Sequence, residues 1–128
     1  MDAAQALGEL MELSSQITAV AVLDGDGAVL ASSSDDPVRT AALASSIHGL
    51  VAAAADLGAE GRDVTRVEVE LEEGAVFVVR DGGHVVGATT GPNPTSGLVV
   101  YDLRTCAQAI TAPEPKKRRT RKPKEESA

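Results

Sequence analysis

The stretch from Asp36 to Leu57 constrains the fold more than any other, because it reads as a long helix with almost no charge. Asp36 is a suitable N-cap, Pro37 fits the first helical position, where no amide hydrogen is needed, and Gly58 can close the far end. Leu43, Ile47, Leu50, Ala54 and Leu57 recur at helical spacing and form one apolar stripe. The other side is unusual. Ala41, Ala44, Val51, Ala52 and Ala55 fill much of what a surface helix gives to charged residues, and no Lys, Arg, Asp or Glu occurs from Thr40 to Ala55. A helix that is apolar nearly all round is covered on more than one side. In a chain of 128 residues the second cover is expected from another molecule, most simply a second copy. His48 sits on that second flank and belongs to the expected interface.

Around this helix the chain has material for one domain, 1–112, and a tail, 113–128. Ala3 to Ser14 reads as a first helix with Leu7, Leu10 and Met11 on one face. Ile17 to Asp24 and Ala28 to Ser32 are apolar runs joined by Gly25-Asp26-Gly27, a hairpin signal because these residues tolerate positive φ. After the helix, Ala59 to Asp63 is a connector. Val64 to Glu72 then alternates, with Val67, Val69 and Leu71 on one face and Arg66, Glu68, Glu70 and Glu72 on the other, as in a half-buried strand. Glu73-Gly74 and Asp81-Gly82-Gly83 turn the chain into two more strands, Ala75 to Arg80 and His84 to Thr90. Gly91-Pro92-Asn93-Pro94 breaks regular structure, and Thr95 or Ser96 can cap a last helix to Ile110. Val99, Leu103, Cys106 and Ile110 give that helix a packing face. The order is α-β-β-α-β-β-β-α, and short hairpin links demand antiparallel neighbours. The fold class is therefore α+β, a sandwich with a five-stranded antiparallel sheet.

Charge divides the chain in the same place. The tail from Pro113 holds seven of the 12 basic residues and three of the 19 acidic ones, so the domain is left at −11 and the tail at +4. The domain repels phosphates; only Lys116, Lys117, Arg118, Arg119, Arg121, Lys122 and Lys124 can attract nucleic acid, another anionic surface or an acidic patch on a partner. Pro113-Glu114-Pro115 ends the domain, and the tail, almost free of apolar residues, is expected to be a disordered basic Pro/Lys/Arg segment. A solubilising role is the plain alternative.

Chemistry-bearing residues are sparse. His48 and His84 lie on different elements, and neither has a carboxylate or cysteine at ligand spacing, so no metal is expected. The glycines around Gly25 and Gly82 sit inside hairpins rather than between a strand and a helix, which argues against a phosphate loop. Asp24 and Asp26 read as solvated turn residues without the rest of a calcium loop. Cys106, the one cysteine, reads as a small packed hydrophobe, and no intramolecular disulfide is possible. Phe77 and Tyr101 are the only aromatics, so an aromatic-lined ligand site is not expected. Arg39, Arg62, Arg66, Arg80 and Arg104 are scattered, with none placed as a catalytic arginine donor. A non-catalytic chain without cofactor follows. Asp2 with no basic leader region, and no apolar run judged long enough to span a bilayer, predict a cytoplasmic protein.

The element order, with Val20-Ala21-Val22-Leu23-Asp24-Gly25-Asp26-Gly27-Ala28-Val29-Leu30-Ala31 as its first hairpin and an Ala-rich middle helix, resembles the roadblock family of dynein light-chain and bacterial regulator domains. The resemblance runs from about Ala6 to Ile110. It implies a homodimer formed through the middle helix and the strand after it, with one sheet continuous across the dyad. It also implies a scaffold or regulator of a Ras-like small GTPase. On this sequence the dimer surface falls on Ala41, Ala44, His48, Val51, Ala52 and Ala55, with Val64, Arg66, Glu68 and Glu70 from the strand. Two other functions fit the same topology: a profilin-like small-molecule sensor domain, or a nucleic-acid-associated protein acting through its basic tail.

Overall fold

The structure, a computed structural model, describes residues 1–58 and 63–110. The connector after the middle helix and the tail lie outside the described residues, except for Asp63. The elements are α1 (Ala3–Leu13), β1 (Ile17–Leu23), β2 (Val29–Ser32), α2 (Pro37–Leu57), β3 (Arg66–Leu71), β4 (Gly74–Asp81), β5 (His84–Thr90) and α3 (Ser96–Ala109). One antiparallel sheet holds all five strands in the order β2-β1-β5-β4-β3. The expected α+β sandwich and sheet are present.

Local chemistry sets the boundaries. The Asp2 carboxylate accepts from Gln5 N while the Gln5 side chain accepts from Asp2 N, a reciprocal cap that starts α1. The Asp36 carboxylate accepts from Val38 N at 2.9 Å and starts α2 with Pro37 in its first turn. In the first hairpin the Asp24 carboxylate accepts from the amides of Asp26 and Ala28, so this side chain organises the turn. Thr95 occupies the N-cap of α3 but makes no side-chain cap bond, unlike the sequence expectation for Thr95 or Ser96.

The sheet is covered unequally. On one face α1 and α3 enclose the larger core, in which Phe77, Val79, Val86, Val99 and Leu103 are fully buried. On the other, α2 covers a smaller core of Ala21, Leu23, Ala44, Ile47, Val78 and Val85. α2 connects β2 to β3, the two opposite edges, so it must cross the whole sheet face. Five strands span about 19 Å, whereas 21 residues of helix run about 31 Å. The helix therefore overhangs the sheet. This corrects the expected stripe at one end: Leu57 is 89% exposed, while Ile47 at the centre is completely buried.

Two further expectations change. β3 starts at Arg66 rather than Val64, because its ladder with β4 closes at Thr65, whose carbonyl accepts from Arg80 N; Val64 lies before that bond and before the strand. The expectation that no apolar run approaches the length of a bilayer span is also corrected, since α2 is long and apolar enough by length and composition. Both of its flanking strands, however, belong to the sheet that it covers.

Candidate interaction surface

The α2 face carries the features that need a partner. Ala41, His48, Ala52 and Ala55 are exposed and Val51 is half-buried, so a flank without charge from Ala41 to Ala55 meets solvent in the single chain. Ala44 lies elsewhere. It packs with Ile47 on the inner side, 7% exposed, and is part of the core.

This flank borders a groove. His48, Val51, Ala52 and Ala55 line it from the helix, and Leu23, Gly27, Arg80 and Val85 line it from the sheet end. Its volume is about 160 Å³, well below the roughly 300–1,000 Å³ of small-molecule sites. A pocket of this size, lined by aliphatic side chains together with Asp24, His48 and Arg80, suits a side chain rather than a metabolite. Gly27 makes the close approach possible: its φ is 92°, and a Cβ there would stand 2.9 Å from His48 Nδ1. Leu23, Arg80 and Val85 escaped the sequence reading. The only signal for them is that Arg80 pairs with Val85 across β4–β5, which fixes both to the α2 face.

β3 supplies the second part of the surface. It is an edge strand, and its pairing with β4 fixes its two faces. Val67 and Val69 oppose Val78 and Val76 and lie on the α2 side, half-buried; Leu71 follows them and is 52% exposed. Arg66, Glu68 and Glu70 oppose Val79, Phe77 and Ala75 and therefore point to the α1/α3 side. Glu68 Oε2 accepts from Ser96 Oγ at the start of α3, at 2.9 Å. The structure thus brings His48, Val51, Ala52 and Ala55 together on one flank. It places Arg66, Glu68 and Glu70 on the neighbouring edge, with their side chains on the opposite face of the sheet.

The remaining candidates are separated. His84 lies opposite Asp81 at the start of β5, and Asp81 accepts from Gln108 Nε2 at 3.0 Å on α3, so this histidine belongs to the layer opposite His48. Its Nδ1 is buried without a hydrogen-bond partner among the described residues. Among the described residues no group of three or more His, Cys, Asp or Glu side chains is placed to hold a metal. Cys106 is buried on α3, and burial pushes its thiol pKa up to about 11, so it is a neutral packing group. The tail cations lie outside the described residues.

An edge strand thus lies beside an uncovered apolar helix flank, on a sheet covered by helices on both faces. The profile of the Roadblock/LC7 domain matches residues 4–86, and the chain belongs to that family. The chain is similar to a Roadblock/LC7 domain from Streptomyces avermitilis, with 22% identity, a TM-score of 0.74, and 86% of this chain and 95% of that one covered. It is also similar to the gliding protein MglB of Thermus thermophilus, with 17% identity, a TM-score of 0.59 and 84% of each chain covered. An MglB structure with a tetrameric arrangement aligns at 18% identity and a TM-score of 0.61, again over 84% of each chain. At these identities the solved structures establish the shared fold. No curated protein matches the chain significantly.

Proposed function

We propose that this protein is a non-catalytic homodimeric scaffold or regulator that binds a Ras-like small GTPase in the cytoplasm. The observation that carries this reading is the uncharged flank of α2, left wet in the single chain beside an unpaired β3 edge. A second copy covers both at once, with helix against helix and edge against edge, and so removes the apolar exposure and the open backbone groups together. Family membership supports the assignment, and the tetrameric MglB arrangement is consistent with self-association in a protein of the same fold. A dimer would present two copies of each outer surface to a GTPase. The chain's contribution would then be to hold and orient its partner, with no bond made or broken on its own residues. His48 and His84 lie in different layers, and the one cysteine is a buried neutral thiol.

Two measurements test the reading. Light scattering at micromolar concentration should give twice the chain mass. A Ras-like GTPase encoded beside this protein should be captured by it from purified components, with different affinity for its GDP- and GTP-loaded forms. A monomeric mass, or capture that ignores the nucleotide, would remove the proposal.

A further inference from the structure

We infer that β3 pairs with β3 of a second copy in one register only, with Val67 on the two-fold axis and Arg66 of each copy opposite Glu68 of the other. The inference rests on the homodimer proposed above and specifies how its edge is read.

The backbone allows the pairing. Thr65 turns its carbonyl to β4, where it accepts from Arg80 N at 3.0 Å. In an antiparallel ladder, alternate residues turn both peptide groups to the same neighbour. Thr65, Val67 and Val69 therefore face β4, and the N–H and C=O of Arg66, Glu68 and Glu70 face the open edge. These are the groups a second strand would bond.

Charge then selects the register. In a symmetric antiparallel pair, the residue on the axis meets itself, and residues equally far on either side of it meet each other. An axis at Arg66 sets arginine against arginine. An axis at Glu68 or Glu70 sets glutamate against its own copy, and an axis at Val69 sets Glu68 against Glu70. Like charges directly opposite are destabilising. An axis at Leu71 sets Glu70 against Glu72, just past the strand. Of the axes within β3, only one at Val67 avoids every such pair, and it places two Arg66–Glu68 pairs across the interface, flanking a Val67–Val67 contact. Both side chains are available for this. Among the described residues the one ion pair is Arg39 with Asp36, and none of these residues gives Arg66 a carboxylate partner. Glu68 is oriented by Ser96. Val67 already packs against the small core under α2, so the pairing would continue that apolar layer into the second copy.

Cysteine cross-linking reads the register directly. At a non-hydrogen-bonded position on the axis the two Cα atoms lie about 4.5 Å apart, within disulfide reach. Val67→Cys should therefore form a covalent dimer under mild oxidation. Two Glu68→Cys residues would be offset by two positions along the strands, at roughly 8 Å, and should cross-link about tenfold less. Native Cys106, 4% exposed, serves as the control in the unaltered chain. In parallel, Arg66→Glu should weaken the dimer roughly tenfold, and the double change Arg66→Glu with Glu68→Arg should restore it. A dimer that cross-links better through position 68, or in which the double change fails to rescue, would overturn the register and leave the homodimer standing. A wild-type monomer would overturn both.

Discussion

Ile47 of α2 lies directly on the backbone of Gly87 in the central strand β5, and a Cβ at Gly87 would overlap the Cγ1 and Cδ1 atoms of that isoleucine. This contact sets how closely the crossing helix can approach the sheet, because Ile47 is the one large α2 side chain that is fully buried. The two residues act as a pair. Gly87→Ala should force the helix outward and destabilise the domain by about 1–3 kcal/mol. Ile47→Ala should leave a cavity and cost about 2–5 kcal/mol. Urea unfolding of each variant checks both values. Because the changes share one contact, the double variant should be less destabilised than the sum of the two.

The uncovered flank of α2 gives a separate prediction. Ala52 is exposed in the single chain, so Ala52→Glu should leave the fold intact, as circular dichroism would show. In the proposed dimer it buries a charge without a partner, which costs about 3–5 kcal/mol. The expected result is a folded monomer by light scattering. An Ala52→Glu protein that remains a dimer would place the interface elsewhere.

How far the sequence discloses this architecture depends on where the relevant physics is local. The start of α2 is written in Asp36 and Pro37, whose cap and ring act within one turn, and the turns between strands are written in Asp-Gly, Glu-Gly and Gly-Gly pairs. The strand order is not local. Nothing in the pattern of β1 says that β5, the last strand, inserts between it and β4. The overhang of α2 follows from that order, so Leu57 looked like core and is surface. The interface residues are partly legible for the same reason. An alanine is equally at home inside and outside, and only the three-dimensional path of α2 distinguishes Ala44, on the sheet, from Ala52, in solvent. Arg80 and Val85 join the groove through a cross-strand pairing that periodicity does not encode.

Cys106 gives a pH-dependent expectation. Desolvation by burial raises its thiol from 9.0 to about 11 in the folded domain. Between these values the folded state holds the proton more tightly than the unfolded chain does. The associated stability is therefore fully present below pH 9 and is lost as pH rises through about 11. Labelling by a small thiol reagent should be slow at neutral pH in the native protein and fast in urea. Cys106→Ala should remove the alkaline decline assigned to this group, as measured by thermal melts from pH 8 to 11.

The tail carries the last prediction. Seven cations in the nine residues Lys116 to Lys124 repel one another, and the segment offers a core almost nothing to bury. Its attached domain is strongly acidic, so any anionic partner must be met by the tail with the domain held away. Binding of this kind releases counterions and falls steeply between about 50 and 200 mM salt. The absence of aromatic residues from the tail leaves no base stacking to give sequence preference. Deleting residues 113–128 should thus abolish salt-sensitive retention on heparin or on anionic vesicles while leaving dimer mass unchanged. The melting temperature should move little, because the described cores are complete by Ile110. A large fall in melting temperature on truncation would mean that the tail packs against the domain, and the boundary at residue 112 would then have to move.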